Sequence, residues 1–238
     1  MLYHHFLKPP GGFLRKRLVI VVLVGLSVAL GCSSSKPVTY HLKPMPEPYI
    51  PKQARTAPGP ERVVIHPRTE WADAPPKTSL LDPMGKPYRI TVHHEGYHSG
   101  SMNASSVCAH LRRIRTVQMR PKGVDGGLGA GDIGYHYIID QNGGIWEGRP
   151  MKYQGAHAGD FWRNKGNIGI CVLGDYNDQL VPARARCSLK DLTVMLMARY
   201  HIPATKIYTH RELKPTECPG RNLQAYVNDL RGQLRLAK

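Results

Sequence analysis

The chain has 238 residues, 41% of them hydrophobic, which suffices for a packed core within one or two domains. Lys and Arg outnumber Asp and Glu by 33 to 17, a formal charge of +16 that suits polyanionic surroundings: nucleic acid, an anionic membrane or an anionic cell wall. The basic residues are scattered; the tightest group, Arg112, Arg113 and Arg115, falls on an expected helix and reads as a solvated face rather than a binding patch.

Lys8, Arg15, Lys16 and Arg17 precede an uncharged apolar run from Leu18 to Leu30. The run is short for a membrane span, which needs about 20 residues, and fits the core of a signal peptide. It closes in Ala29-Leu30-Gly31-Cys32 followed by Ser33, Ser34 and Ser35, which resembles a bacterial lipobox. Residues 1–31 are therefore expected to be a lipoprotein leader, with Cys32 the lipidation site and the protein anchored to a membrane through it. Two or more acyl chains hold far more firmly than one. Cleavage removes four basic residues and no acids, lowering the charge from +16 to +12. Ser33 supplies no Asp-type retention signal, so an exported protein on the outer membrane is expected where the cell has one. From residue 32 to 61, prolines recur among polar residues (Pro37, Pro44, Pro46, Pro48, Pro51, Pro58, Pro60), the composition of a semi-rigid tether.

From residue 62 to 238 the pattern is globular. Tyr88 to His93 alternates like a strand. Val107, Leu111, Ile114 and Val117 share one helical face, with Ser105 or Ser106 as the expected cap. Tyr135 to Ile139 reads as a strand, Asn142-Gly143 as a hairpin turn in which both positions tolerate positive φ, and Ile145 to Glu147 as the return. Asp140 and Glu147 read as surface groups. Ile168 to Leu173 is an apolar run of the kind found in buried central strands. Ser188 with Asp191 suggests a capping box opening a helix through Leu192, Met195 and Leu196. Lys206 to Thr209 is a further strand and Leu223 to Leu234 a last helix. Interleaved strands and helices predict a single α/β domain with a central mixed sheet flanked by helices.

Three residues stand out chemically. His93 ends one strand, His210 ends another, and Cys218 follows eight residues later in Thr216-Glu217-Cys218-Pro219-Gly220. Strand ends feed a shared cleft in α/β sheets. Two imidazoles and a thiolate make a three-ligand zinc site with a fourth position for water, the catalytic rather than the structural arrangement. The segment Arg120 to Gly131 is glycine-rich but lacks the Lys-Ser/Thr of a phosphate loop, which excludes nucleotide binding there.

Six segments occur in order: Val92-His93-His94, Asp132-Ile133-Gly134-Tyr135-His136-Tyr137, Trp146-Glu147-Gly148-Arg149, Gly155-Ala156-His157, Ile168-Gly169-Ile170 and Thr216-Glu217-Cys218-Pro219-Gly220. Together they resemble the type 2 N-acetylmuramoyl-L-alanine amidase family, which includes peptidoglycan recognition proteins. Arg68-Thr69-Glu70-Trp71-Ala72 also resembles the segment that opens the recognition domain. The resemblance spans roughly residues 63–230. It implies Zn²⁺ on His93, His210 and Cys218, Tyr135 as catalytic tyrosine, Thr216 as the helper where relatives carry Lys or Thr, and His157 and Asn164 near the substrate groove. The implied activity is hydrolysis of the amide between N-acetylmuramic acid and L-alanine. A non-cutting peptidoglycan binder of the same fold is the alternative, and loss of the Cys ligand is its usual mark. Peptidoglycan or muropeptides and the membrane are the expected partners. A monomer is expected, and no nucleic acid: the export signal and the want of aromatic-basic interleaving argue against it.

Two departures from the family pattern stand out. Glu95 follows the His pair where relatives usually show Thr or Ser, and alternation puts it on the sheet face of His93. It is a candidate catalytic residue, as a partner behind the ligands or a further general base, while the plainer reading is a solvated carboxylate at the strand end. The glycine-rich segment replaces a shorter connection and is expected to form a mobile rim beside Tyr135. Of the remaining cysteines, Cys171 reads as a buried thiol, and Cys108 with Cys187 is a possible disulfide that spacing leaves open.

Overall fold

The computed structural model describes residues 63–236. The expected leader, the lipidation site Cys32 and the tether lie outside the described residues. Six strands form one sheet in the order β1-β4-β3-β5-β2-β6: β1 Ile65–His66, β2 Arg89–His94, β3 Tyr137–Ile139, β4 Ile145–Glu147, β5 Asn167–Val172 and β6 Ile207–Thr209. Only β3 and β4 pair antiparallel; every other neighbour pair is parallel. β5 is buried along its whole length and β2 along nearly all of it. That is why both read as apolar runs: inner parallel strands are covered on both faces.

Strand alternation divides the core in two. Ile90, Val92, Tyr137, Ile139, Ile170 and Val172 pack with Leu189, Leu192 and Leu196 of α3 (Ala183–Tyr200) and Leu223, Val227 and Leu230 of α5 (Arg221–Leu236). The intervening Ile138 and Cys171 join Val107 and Leu111 of α1 (Ala104–Met119), with Trp71, Ile133 and Trp146, on the other side. His93, level with Cys171 in the β2–β5 register, falls on the α1 side.

Several local expectations are corrected. α1 is capped by Asn103, whose Oδ1 accepts the Ser106 N–H at 2.9 Å, so neither Ser105 nor Ser106 is the cap. α3 starts at Ala183 rather than at Ser188: the Arg186 N–H reaches the Pro182 carbonyl at 3.0 Å, and Ser188, inside the helix, donates to the Gly143 carbonyl at 2.6 Å. In the β3–β4 loop only Gly143 of the two expected turn residues has positive φ (87°). Asp140 organises that loop. It is buried, and its carboxylate accepts the Asn142 and Gly144 N–H groups and the Trp146 indole N–H at 2.8, 3.0 and 2.8 Å. It is not a surface group. β3 begins at Tyr137, leaving Tyr135 in the preceding loop.

Arg115 also departs from the solvated-face reading. It is buried and donates through Nε to Asp132 at 2.7 Å and through Nη1 to Asp73 at 3.1 Å. Arg68 reaches the same Asp132 oxygen at 2.9 Å. α1 and the 68–75 segment are thereby tied to the loop that carries Tyr135. Cys108, Cys171, Cys187 and Cys218 are all free thiols, so Cys108 and Cys187 are not paired.

Candidate active site

His93 sits in the last turn of pleat of β2, where sheet hydrogen bonds fix its backbone. His210 opens α4 (His210–Leu213), and that short helix is set by a capping box: the Glu212 carboxylate accepts the Thr209 N–H at 2.7 Å. The Arg231 guanidinium holds Glu212 from α5 at 2.8 and 2.9 Å. Cys218 precedes α5, and its carbonyl accepts the Arg211 N–H at 3.0 Å, latching the segments of the second and third residues together. One ligand atom from each of His93, His210 and Cys218 lies within 4.8 Å of the others.

The ring of His93 is oriented from behind by His157. His157 is buried, and its Nε2 lies 3.1 Å from the Asn167 carbonyl, which can only accept. Nε2 therefore carries the proton and Nδ1 is the acceptor. His93 Nε2 lies 2.9 Å from that Nδ1 and donates to it. His93 Nδ1 is left with its lone pair, 3.6 Å from Cys218 Sγ. Burial first, then the neighbouring histidines, pushes the pKa of His93 well below its ordinary value, keeping it neutral as a ligand must be. The close fit needs bare backbone at Gly169, where a Cβ would stand 2.5 Å from His157 Cδ2. Asn164 secures the same loop: its Oδ1 accepts the N–H groups of His157 and Ala158, both at 2.9 Å. His157 and Asn164 thus border the groove while their polar atoms serve the scaffold.

A groove of about 480 Å³ runs past Tyr135, His157, His210 and Asn164, with Lys122 and Lys214 on its walls. A second lobe of about 250 Å³ shares Tyr135 and is lined by Glu95, Tyr97 and Arg113. The glycine-rich segment supplies the rim between them, with Gly126 facing both. Tyr135 leans toward His93, ring centroids 5.3 Å apart. Its phenol is held well above the ordinary pKa by burial, then by Cys171 and Cys218, so it keeps its proton. It is presented by a clamped loop: Gln118 accepts the Gly134 N–H at 2.7 Å, and Arg149 donates to the carbonyls of Asp132 and Ile133 at 2.9 and 2.8 Å. Thr216 is exposed, two residues before Cys218, and its hydroxyl oxygen accepts the Cys218 N–H at 3.2 Å. Its own O–H proton stays available to donate. Glu95 is not a solvated carboxylate. Its side chain is nearly buried and pairs with His110 of α1 at 2.7 Å, while Oε2 has no hydrogen-bond partner among the described residues.

The residues fit a zinc ion. His210 Nε2 is buried without a hydrogen-bond partner among the described residues, a donor atom with no protein occupant. The Cys218 thiol is pushed up to about 12 by burial, a penalty that a coordinated cation reverses. Two imidazoles and one thiolate form a borderline-soft donor set that suits zinc.

The family described as N-acetylmuramoyl-L-alanine amidase (Amidase_2) matches residues 83–221, more than half of the chain. The chain belongs to that amidase family. Peptidoglycan-recognition protein SC2 of Drosophila melanogaster is 34% identical over 164 residues, covering 68% of this chain and 83% of that protein. Among solved structures, the N-acetylmuramoyl-L-alanine amidase LysC from Clostridium intestinale URNW superposes with TM-score 0.57 at 26% identity, over 72% of this chain and 97% of its own. A Drosophila PGRP-LB mutant in complex with tracheal cytotoxin gives TM-score 0.60 at 27% identity, over 69% of this chain and 92% of its own.

Within this amidase-family domain the groove holds residues that the sequence reading passed over. Lys122 and Lys214 make the groove basic, and Gln118 borders both lobes. The buried cluster of Asp132 with Arg68 and Arg115 has no local sequence signal, although Asp132 and Arg68 lie in segments shared with the family. A charged pair far apart in sequence leaves no periodic trace.

Proposed function

We propose that this chain hydrolyses the amide bond between N-acetylmuramic acid and L-alanine in peptidoglycan, with Zn²⁺ on His93, His210 and Cys218. The observation that carries the reading is the convergence of these three side chains, from separate segments, to within 4.8 Å of one another beside the groove that holds Tyr135. A relative of the same fold holds tracheal cytotoxin, a monomeric diaminopimelic acid-type peptidoglycan, which supports a wall-derived substrate. The chemistry zinc supplies in such a site is Lewis acidity toward the amide carbonyl and activation of water near neutral pH.

The chain's own residues do the rest. His157 holds His93 in the tautomer that leaves Nδ1 free. Tyr135, protonated at neutral pH, donates a hydrogen bond to the carbonyl oxygen as negative charge develops there. Thr216, two residues before Cys218, donates a second. Lacking the positive charge of Lys, it stabilises that oxygen less. Glu95 shares the second lobe with Tyr135 and is fixed by His110, as a residue supporting the groove.

A non-cutting binder has no need of a complete ligand set, and the retained Cys218 and Tyr135 favour the enzyme. Digestion of purified peptidoglycan by wild type and by Cys218→Ala, read by mass spectrometry, tests this. Wild type is expected to release stem peptides with a free L-alanine amine, and Cys218→Ala none. Wild type supplied with zinc that sediments with wall and still releases nothing would install the binder reading instead.

Export and lipid anchoring through Cys32 are proposed from residues 1–35 alone. Cys32→Ala is expected to move the protein from the membrane fraction to the soluble one and to abolish labelling by a fatty-acid probe.

A further inference from the structure

We propose that Phe161 and Trp162 form a stacking platform for the glycan strand, extending the groove beyond the three ligands. The inference rests on the peptidoglycan reading above and deepens it, because it makes the sugar polymer part of what the groove recognises. The chain has three tryptophans. Trp71 and Trp146 are 1% and 2% exposed, whereas Trp162 is 72% exposed. Phe161 beside it is 44% exposed, and the two rings meet edge to face with centroids 5.1 Å apart. Single exposed apolar side chains are ordinary, but two contiguous aromatic rings beside a groove form a surface on which a partner can dock.

The platform is continuous with the groove. The short helix α2 (Phe161–Asn164) carries both rings, and Gly159 and Asn164 on either side of them line the groove itself. Its backbone is held from several directions. Arg89 donates to the carbonyls of Trp162 and Arg163 at 2.9 and 2.6 Å, Gln154 donates to that of Phe161 at 3.1 Å, and the Asp160 carboxylate accepts the Arg163 N–H at 2.8 Å. A fixed platform spends little binding free energy on ordering itself.

The chemistry selects a sugar. A pyranose ring presents a face of C–H bonds that suits the negative π face of an indole, and keeps its hydroxyls in water. That matches a tryptophan left largely solvated. Exposed Arg163 and Lys165 follow Trp162 in sequence, and Lys165 Nζ lies 5.4 Å from the indole centroid. The apolar patch is thereby too interrupted for a purely apolar partner.

Because the other two tryptophans are buried, acrylamide quenching of intrinsic fluorescence reads Trp162. A soluble hexamer of N-acetylglucosamine, and peptide-free glycan strands, are expected to shield it and shift its emission to the blue. Trp162→Ala is expected to weaken co-sedimentation with insoluble peptidoglycan about tenfold, and Trp162→Phe to retain most of it. Unchanged quenching with glycan, or shielding by anionic phospholipid vesicles in its place, would overturn the proposal. So would undiminished sedimentation of Trp162→Ala. The glycan probes carry no stem peptide, so shielding reads the platform separately from cleavage. Shielding without release of stem peptides would sink the hydrolase reading and leave the platform standing.

Discussion

His157 Nδ1 lies 2.9 Å from His93 Nε2, and the far nitrogen of His157 is committed to the Asn167 carbonyl at 3.1 Å. This relay fixes which nitrogen of His93 faces Cys218. Removing it frees the His93 ring to turn and to change tautomer. His157→Ala is expected to weaken zinc binding by about 10- to 100-fold, measured by competition with a chromogenic chelator. Unaltered affinity would show that the β2 backbone alone orients His93.

Tyr135 is assigned a hydrogen bond that strengthens as charge develops on the carbonyl oxygen. Tyr135→Phe keeps the ring and deletes the donor. It is expected to lower kcat by about a hundred- to a thousandfold, with zinc content and KM little changed. A rise in KM with kcat intact would reassign Tyr135 to substrate binding.

Acid is expected to destabilise the fold through buried imidazoles. His136 accepts the Gly169 N–H at Nδ1 (3.0 Å) and its Nε2 faces the Tyr153 carbonyl at 3.1 Å, so it is neutral in the folded chain. Burial pushes its pKa down to about 4. The unfolded chain takes up that proton near the ordinary value of about 6.5. The depressed folded value means the stability is present above about 6.5 and is lost as the pH falls toward 4. Thermal midpoints at neutral pH and at pH values down to 4 should fall across that window, and His136→Gln should flatten the slope.

Asp132 accepts from both Arg68 and Arg115 at 2.9 and 2.7 Å with its own side chain fully buried. Asp132→Ala leaves Arg68 without its carboxylate and Arg115 with only Asp73, at 3.1 Å. It is expected to cost about 3–5 kcal/mol of stability in denaturant titrations, as breaking one partner of a buried pair does. A loss under about 1 kcal/mol would mean that water replaces the carboxylate, as at exposed pairs.

The parts of this fold that sequence revealed are those with a periodic or local cause. The inner strands announce themselves as apolar runs because both faces are covered, and Leu111 with Val107 marks the buried stripe of α1. Strand ends and donor chemistry pointed to the ligand triad, but its specificity came from the family resemblance, since 125 residues separate His93 from Cys218. Three features were illegible for physical reasons. Ser188 carries a capping pattern, yet its hydroxyl is used by the distant Gly143 carbonyl, and the helix starts earlier, at Ala183. His157 is bound at both nitrogens by partners that no local pattern identifies. Glu95 finds His110 one strand end and one helix away, so its burial depends on how α1 lies against β2.

The most direct test of the account is zinc content by inductively coupled plasma mass spectrometry, on purified wild type and Cys218→Ala alongside stem-peptide release from each. The account predicts one equivalent of zinc and peptide release for wild type, with both lost in the variant and release by wild type abolished by a chelator and restored by zinc. Peptide release that persists in metal-free protein, or a Cys218→Ala protein that keeps its zinc and its activity, would contradict it.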